Sequence, residues 1–305
     1  MDRISDLGLQ QILLSGFQRA QEGSSERQIQ LATGQVSDRY SGIAAQVTQL
    51  LSSESVIELS NAYQDAAEIA GSRLQVQEGS ITTIANAVTE LRNRIVTTLA
   101  SGSAELLLPA VENVAGQTLS ALNTQFGDVF VFGGANGSVP ASDAQSLDDL
   151  LAAADVSSLL STAPRVRLAV EEGNTVDGGA TASELGQEFL TQLKAIGEAP
   201  SVLGPFSGDL TDVQQRFLTA TIEQLDLIAA DLNRELGLNG IAQSQADDAI
   251  QRSVAQADRA ALLVSGIEDV DIAEVISQLS QDQVAIEAAG RALSQATQLS
   301  LLNFI

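Results

Sequence analysis

The strongest pattern in the chain is a seven-residue repeat of apolar side chains. Leu74, Ile81, Val88 and Ile95 recur at that interval, Ile84 and Leu91 fill the four-three positions between them, and Val56, Tyr63, Ala67 and Ala70 extend the series upstream. Such a repeat keeps one apolar seam on one face of a helix. No proline interrupts residues 44–108. A helix from Ala44 to Leu99 is therefore predicted, about 80 Å long at the usual helical rise; Gly71 and Gly79 mark where it would break. A second heptad series, Ile272, Leu279, Ile286 and Leu293, predicts a helix at the other end. Before it, Leu218, Ile222, Leu225, Ala229, Leu232 and Leu236 keep the four-three spacing. The run Gly237-Leu238-Asn239-Gly240 is expected to interrupt that helix, and Ser265–Asp271 to end its continuation. At the start of the chain the stripe is weaker. Ile4, Leu7, Leu13, Leu14, Phe17 and Ala20 could share a face, but Gly16 and Gly23 each cost roughly 1 kcal/mol relative to alanine. Such a segment needs a partner to be a stable helix.

The middle reads differently. Ser101-Gly102-Ser103 predicts a turn, and Pro109 suits the first turn of a helix carrying Val111, Val114, Ala115, Leu119 and Leu122. Asp128–Phe132 reads as a short strand closed by the glycine-rich run 133–137. Residues 138–164 are rich in Ser, Asp and Ala, with a helix expected at Ser146–Ala154. Arg165–Val170 alternates like an exposed strand, followed by a turn at Glu172-Gly173-Asn174. Leu185, Phe189, Leu190, Leu193 and Ile196 mark another helix, and Pro200, Gly204, Pro205 and Gly208 a loop.

The expected fold is mainly α: a long antiparallel coiled-coil or helical bundle built from both chain ends, with a small β-hairpin-containing α+β module between them. Three regions follow. Residues 1–40 with 266–305 form a terminal helical domain, 41–138 with 165–265 a long-helix rod with short strands, and 139–164 a variable surface excursion. In the rod, Leu74, Ile81, Ile84, Val88, Leu91, Ile95, Leu218, Ile222, Leu225 and Leu232 are the expected core. The chain finishes on Leu299, Leu301, Leu302, Phe304 and Ile305. That tail is too apolar for water and calls for another subunit.

Composition narrows the chemistry. The 305 residues include no Cys, His or Trp, and only 3% are aromatic. Without imidazole or thiol, the common nucleophilic triads and the zinc and transition-metal sites lose their parts. No cofactor and no catalytic residues are expected. Glu268, Asp269 and Asp271 lack the further oxygens and the glycine of a calcium loop; acidic residues there suit the positive end of a helix dipole. The net charge of -24 disfavours nucleic acid and anionic membranes. Met1–Leu7 has neither the basic nor the apolar part of a leader peptide, so export without a cleaved signal is expected. No apolar run is long enough to insert in a membrane.

Several segments carry a resemblance. Gln28–Gly34, Ser41–Ala44, Gly127–Gly134 and Ile267–Glu274, in this order, are similar to motifs of the bacterial flagellin family. Asp38-Arg39-Tyr40 stands where that family carries an Asp-Asp pair followed by Pro or Ala. Phe130-Val131-Phe132-Gly133-Gly134 and the ending Gln298–Ile305 look more like the family's hook-filament junction branch than its filament branch. The resemblance implies a structural subunit that self-assembles into a ring or tube joining hook to filament, with a filament subunit as the alternative and an unrelated secreted coiled-coil protein as a more distant one. It implies an extracellular place in the flagellum. The expected partners are further copies of the chain, the neighbouring hook-associated protein, flagellin and a flagellar export chaperone. Ile4, Leu7, Leu13, Leu14, Phe17, Ile272, Leu279, Ile286, Leu293 and the apolar tail are the expected assembly interface.

Overall fold

The computed structural model describes residues 2–37, 40–207 and 209–302, with side chains for 8, 11–37, 40, 42–207 and 209–295. In chain order its helices are α1 (Asp2–Thr33), α2 (Val47–Ser101), α3 (Leu107–Leu122), α4 (Leu147–Ala152), α5 (Ala182–Leu203), α6 (Asp212–Glu268) and α7 (Ile272–Leu302). The strands are β1 (Gln125–Phe126), β2 (Val129–Phe130), β3 (Arg167–Glu171) and β4 (Asn174–Asp177). The chain divides into two compact units, residues 1–59 with 256–305 and residues 60–255. Helices α2 and α6 contribute to both.

The larger unit, 60–255, is built on the heptad seam. Leu74, Ile81, Ile84, Val88, Leu91 and Ile95 are fully buried, as are Leu218 and Leu225; Leu232 is nearly so, and Ile222 is half-buried against the same core. Within this unit α6 runs antiparallel to α2, as three pairings show. Gly71 faces Ala246, Asn239 Nδ2 donates to Gln77 Oε1 (3.4 Å), and Arg92 Nε donates to Asp226 Oδ1 (2.5 Å). Gly71 and Gly79 do not break α2, and the expected interruption at 237–240 is absent: α6 is continuous there. Asn239 explains why. Its side chain is buried and also accepts from Gln243 Nε2 (2.6 Å). Packing across α2 and α6 outweighs the helix cost of about 1 kcal/mol per glycine.

Around this pair the middle of the chain adds α3, α5 and two small hairpins. β1 pairs with β2 and β3 with β4, both antiparallel. The expected strand 128–132 contracts to two residues, because Val131 and Phe132 leave the ladder to be buried in the core. Gln77, fully buried on α2, holds that departure: its Nε2 donates to the carbonyls of Val131 (2.6 Å) and Gly178 (2.9 Å). Gly134 follows at φ +63, where a Cβ would lie 2.6 Å from the Pro164 oxygen, so only glycine fits. The strand at 167–171 is not wholly exposed: Val170 and Val176 bury against Ala67, Ala70 and Leu74. Helix α5 starts from a capping box, Thr181 with Glu184, and runs through Pro200 to Leu203, so the expected loop begins one turn late, at Gly204.

The largest departure from expectation is residues 139–164. This segment is no surface excursion. Ala141, Ala144, Leu147, Leu150, Val156 and Leu160 all enter the main core. Lys194, the only lysine, reaches from α5 to end α4, donating from Nζ to the carbonyls of Leu150 (3.0 Å), Leu151 (3.1 Å) and Ala153 (2.8 Å).

The smaller unit contains α1, a 3₁₀ turn at Tyr40–Ile43, the start of α2, the end of α6 and α7. Ile43, Leu50 and Ile267 form its core, with Val36, Val47 and Val264 packed around them. A short antiparallel bridge joins the loops after α1 and α6. Val36 N–H donates to the Glu268 carbonyl (2.7 Å), and Val270 N–H to that of Gly34 (3.0 Å). Asp271 then caps α7, its Oδ1 accepting from the N–H groups of Ala273 (2.9 Å) and Glu274 (3.2 Å).

Candidate assembly surface

The bridge at Gln35 and Asp269 sends α1 and α7 back along each other in antiparallel register. Arg27 Nε meets Gln278 Oε1 (2.7 Å), and Gly23 faces Asp282. On α1 the sheltered positions are Leu13, Gly16, Phe17, Ala20, Gly23, Ser24, Arg27, Gln30 and Leu31. On α7 they are Val275, Gln278, Leu279, Asp282, Ile286, Ala289, Gly290, Ala292 and Leu293. Both sets follow the alternating three-four spacing of a two-helix seam. The weak first stripe thus finds its partner in the last helix of the same chain.

This changes the role of the expected interface residues. Leu13, Phe17, Leu279, Ile286 and Leu293 are half-buried on the facing sides of α1 and α7. Leu14 and Ile272 point away: Leu14 is 46% exposed and Ile272 57%. The strict seven-residue series on α7 does not mark one face because Ile272 lies a step off the seam that Val275 begins. The side chains of Ile4, Leu7, Leu299, Leu301 and Leu302, and residues Phe304 and Ile305, lie outside the described residues.

What the seam leaves outside is more telling. Among the described residues of this unit, the buried apolar side chains are Ile43, Leu50, Ala260, Ile267 and Val275. Against them stand exposed Ile12, Ile29, Leu51, Leu59, Leu262, Leu263, Ile276 and Val284, besides Leu14 and Ile272. Leu262 is 74% exposed. Among its described residues the unit therefore presents more large apolar side chains to solvent than it buries, which makes it a candidate interaction surface. The sequence carried a signal for them: Leu262-Leu263 and Ile276 are apolar positions that no heptad series uses.

The larger unit also exposes apolar side chains, among them Leu106, Val202, Leu227 and Ile241, but it buries far more than it exposes. Among the described residues no group of carboxylates could hold a metal ion. A hollow of about 370 Å³ is lined by Arg165, Glu184, Glu188, Asp231, Arg234 and Glu235, among others. Its charges serve each other. Arg165 donates to Glu184 (2.9 Å) and Glu235 (3.0 Å). Burial opposes the Arg165 charge, yet the two carboxylates outweigh it and hold its pKa above the ordinary arginine value. The contact ties the start of α5 to α6. Likewise Arg252 Nε donates to Glu171 Oε1 (2.7 Å), which lowers the carboxyl's pKa and fastens the β3–β4 hairpin to α6.

The arrangement matches known proteins at both ends. Residues 4–137 match the bacterial flagellin N-terminal helical region, and residues 218–305 the C-terminal helical region. The chain belongs to the bacterial flagellin family. It is accordingly a structural protein of the flagellum, an external appendage, and not an enzyme; hook-associated proteins and flagellins assemble with each other in that structure. Two solved structures share the fold of this flagellin-family chain. One, described as a flagellar hook-associated protein from Vibrio parahaemolyticus, is 15% identical with a TM-score of 0.59, covering 76% of this chain and 99% of its own. The other, FlgL from Bacillus cereus, is 13% identical with a TM-score of 0.52, covering 71% and 99%. No curated protein matches the chain. The stretch 138–217, outside both family regions, supplies much of the larger unit's core.

Proposed function

We propose that this flagellin-family chain is the subunit joining hook to filament, and that it self-assembles through its smaller unit. The observation that carries the assembly reading is the excess of exposed apolar side chains on that unit. Covering a side chain such as Leu262 in a neighbouring subunit stabilises by roughly 1.5–3 kcal/mol. Open, heterologous contacts between identical subunits give the helical geometry a tube needs. The junction role is supported by the likeness of Phe130–Gly134 and Gln298–Ile305 to that branch and by the hook-associated proteins that share the fold. In this reading the neighbours are a hook-associated protein on one side and flagellin on the other. A chaperone accompanies the chain to the export apparatus.

Labelling the protein on intact flagella tests the role. One focus at the hook end of each filament is expected. Signal along the whole filament would make the chain a filament subunit, and absence from flagella would defeat both readings.

A further inference from the structure

Among the described residues Arg73, on α2 in the larger unit, forms no ion pair; its one hydrogen bond runs from Nη2 to the Val131 carbonyl (3.1 Å). Arg92, Arg165, Arg234 and Arg252 of the same unit each pair with a carboxylate. The Nε atom of Arg73 is buried and has no acceptor. Burial pushes its pKa below the ordinary arginine value, with no carboxylate to oppose the shift. A guanidinium nevertheless stays charged at neutral pH. The side chain as a whole is half-buried, so part of it meets solvent. Exposed apolar residues accompany it. Ile69, 61% exposed, lies one turn earlier on the same face of α2. Val129, also exposed, stands in β2 two residues before the carbonyl that Arg73 holds. Part of the cation's water is already lost within the subunit, so an incoming carboxylate meets a stronger field than at an exposed arginine.

The chain itself is a source of that carboxylate. Its acidic side chains outnumber the basic ones 39 to 15, so any copy touching this surface brings carboxylates to it. We propose that Arg73, with Ile69 and Val129, is a contact of the larger unit with a second copy of the chain, and that Arg73 receives a carboxylate of that copy. This rests on the self-assembly proposed above and adds a charged point of attachment to the apolar surface of the smaller unit. Copies with a net charge of -24 repel one another. Pairing at Arg73 opposes that repulsion locally and fixes the register of the two copies.

The single native lysine makes the test direct. Arg73→Lys keeps the positive charge and places a primary amine at the site. The only other lysine, Lys194, is engaged with Glu198 of its own subunit (2.7 Å). A carbodiimide joins an amine to a carboxylate only where the two touch. It is applied to intact flagella carrying the variant and to dilute purified variant, and the linked dimers are isolated and mapped. Dimers of the chain joined from residue 73 to an Asp or Glu of the other copy are expected in flagella and not in the dilute protein. Assembled variant with no link at residue 73, or with one only to a different protein, would overturn the proposal. Should the variant fail to enter flagella, the wild-type chain decides. Phenylglyoxal is expected to modify Arg73 in free subunits and to lose that reaction in flagella; equal reaction in both would overturn the contact. If the chain is found along the whole filament, the junction role fails and this contact stands on its own test. If the chain is absent from flagella, the proposed function fails. Linked dimers in concentrated purified variant would then keep the contact, and their absence would overturn it.

Discussion

Deleting residues 139–164 will abolish the cooperative unfolding transition of the larger unit. The segment is polar in composition, yet it places Ala141, Ala144, Leu147, Leu150, Val156 and Leu160 in the main core. Each of the four larger side chains stabilises by roughly 1.5–3 kcal/mol when buried. Their summed loss approaches the whole stability of an ordinary domain, about 5–15 kcal/mol. The deletion also strips α5 of the neighbouring α4. Lys194 would lose the three carbonyl oxygens it now serves, and Gly197 the side chains of Leu147 and Leu151 packed over it. Circular dichroism during heating should show a broad, uncooperative change. A sharp transition close to that of the intact chain would show that the segment can be removed, as a surface excursion could.

Ile286→Asp should open the smaller unit and leave the larger one intact. The residue is half-buried on the α7 side of the seam, one turn from Asp282. The substitution removes apolar contact and sets a second carboxylate beside one that already lacks a partner. A cost of about 2 kcal/mol or more is expected, enough to separate a pair whose other seam residues are so often small or polar. Limited proteolysis should then cut α1 and α7 rapidly while a fragment spanning 60–255 survives. Equal resistance of variant and wild type would mean that Ile286 does not face α1 within the subunit.

The sequence made the long helices legible because a heptad repeat reports directly on a buried face. Leu74 through Ile95 needed no tertiary information to be recognised as core. Glycine was a poorer guide. Gly71, Gly79, Gly237 and Gly240 all lie inside continuous helices, since the buried contact of Gln77 with Asn239 is invisible to a local reading. The segment 139–164 misled for a related reason. Its apolar residues are few and widely spaced, although Ala141, Ala144, Leu147 and Leu150 recur every third position, a regularity that composition hides. At the candidate surface the heptad rule found the seam but attributed it to a neighbouring subunit. Nothing in the spacing of Leu279, Ile286 and Leu293 says whether the opposing helix belongs to the same chain. The exposed side chains Ile12, Leu262, Ile276 and Val284 escaped notice because a leftover apolar residue becomes meaningful only once the buried ones are known.

The absence of cysteine makes the central claim, assembly through the smaller unit, open to one direct measurement. Single cysteines are placed at Ile12, Leu262 and Val284, all exposed in the isolated chain. Their reaction with a maleimide is timed in free subunits and in intact flagella carrying the variant. Fast labelling of the free subunit and strong protection in flagella, reversed when the flagella are depolymerised, is the predicted result. Equal labelling in both states at all three positions would contradict the account, because the apolar surface would then remain open to solvent in the assembly it is supposed to build.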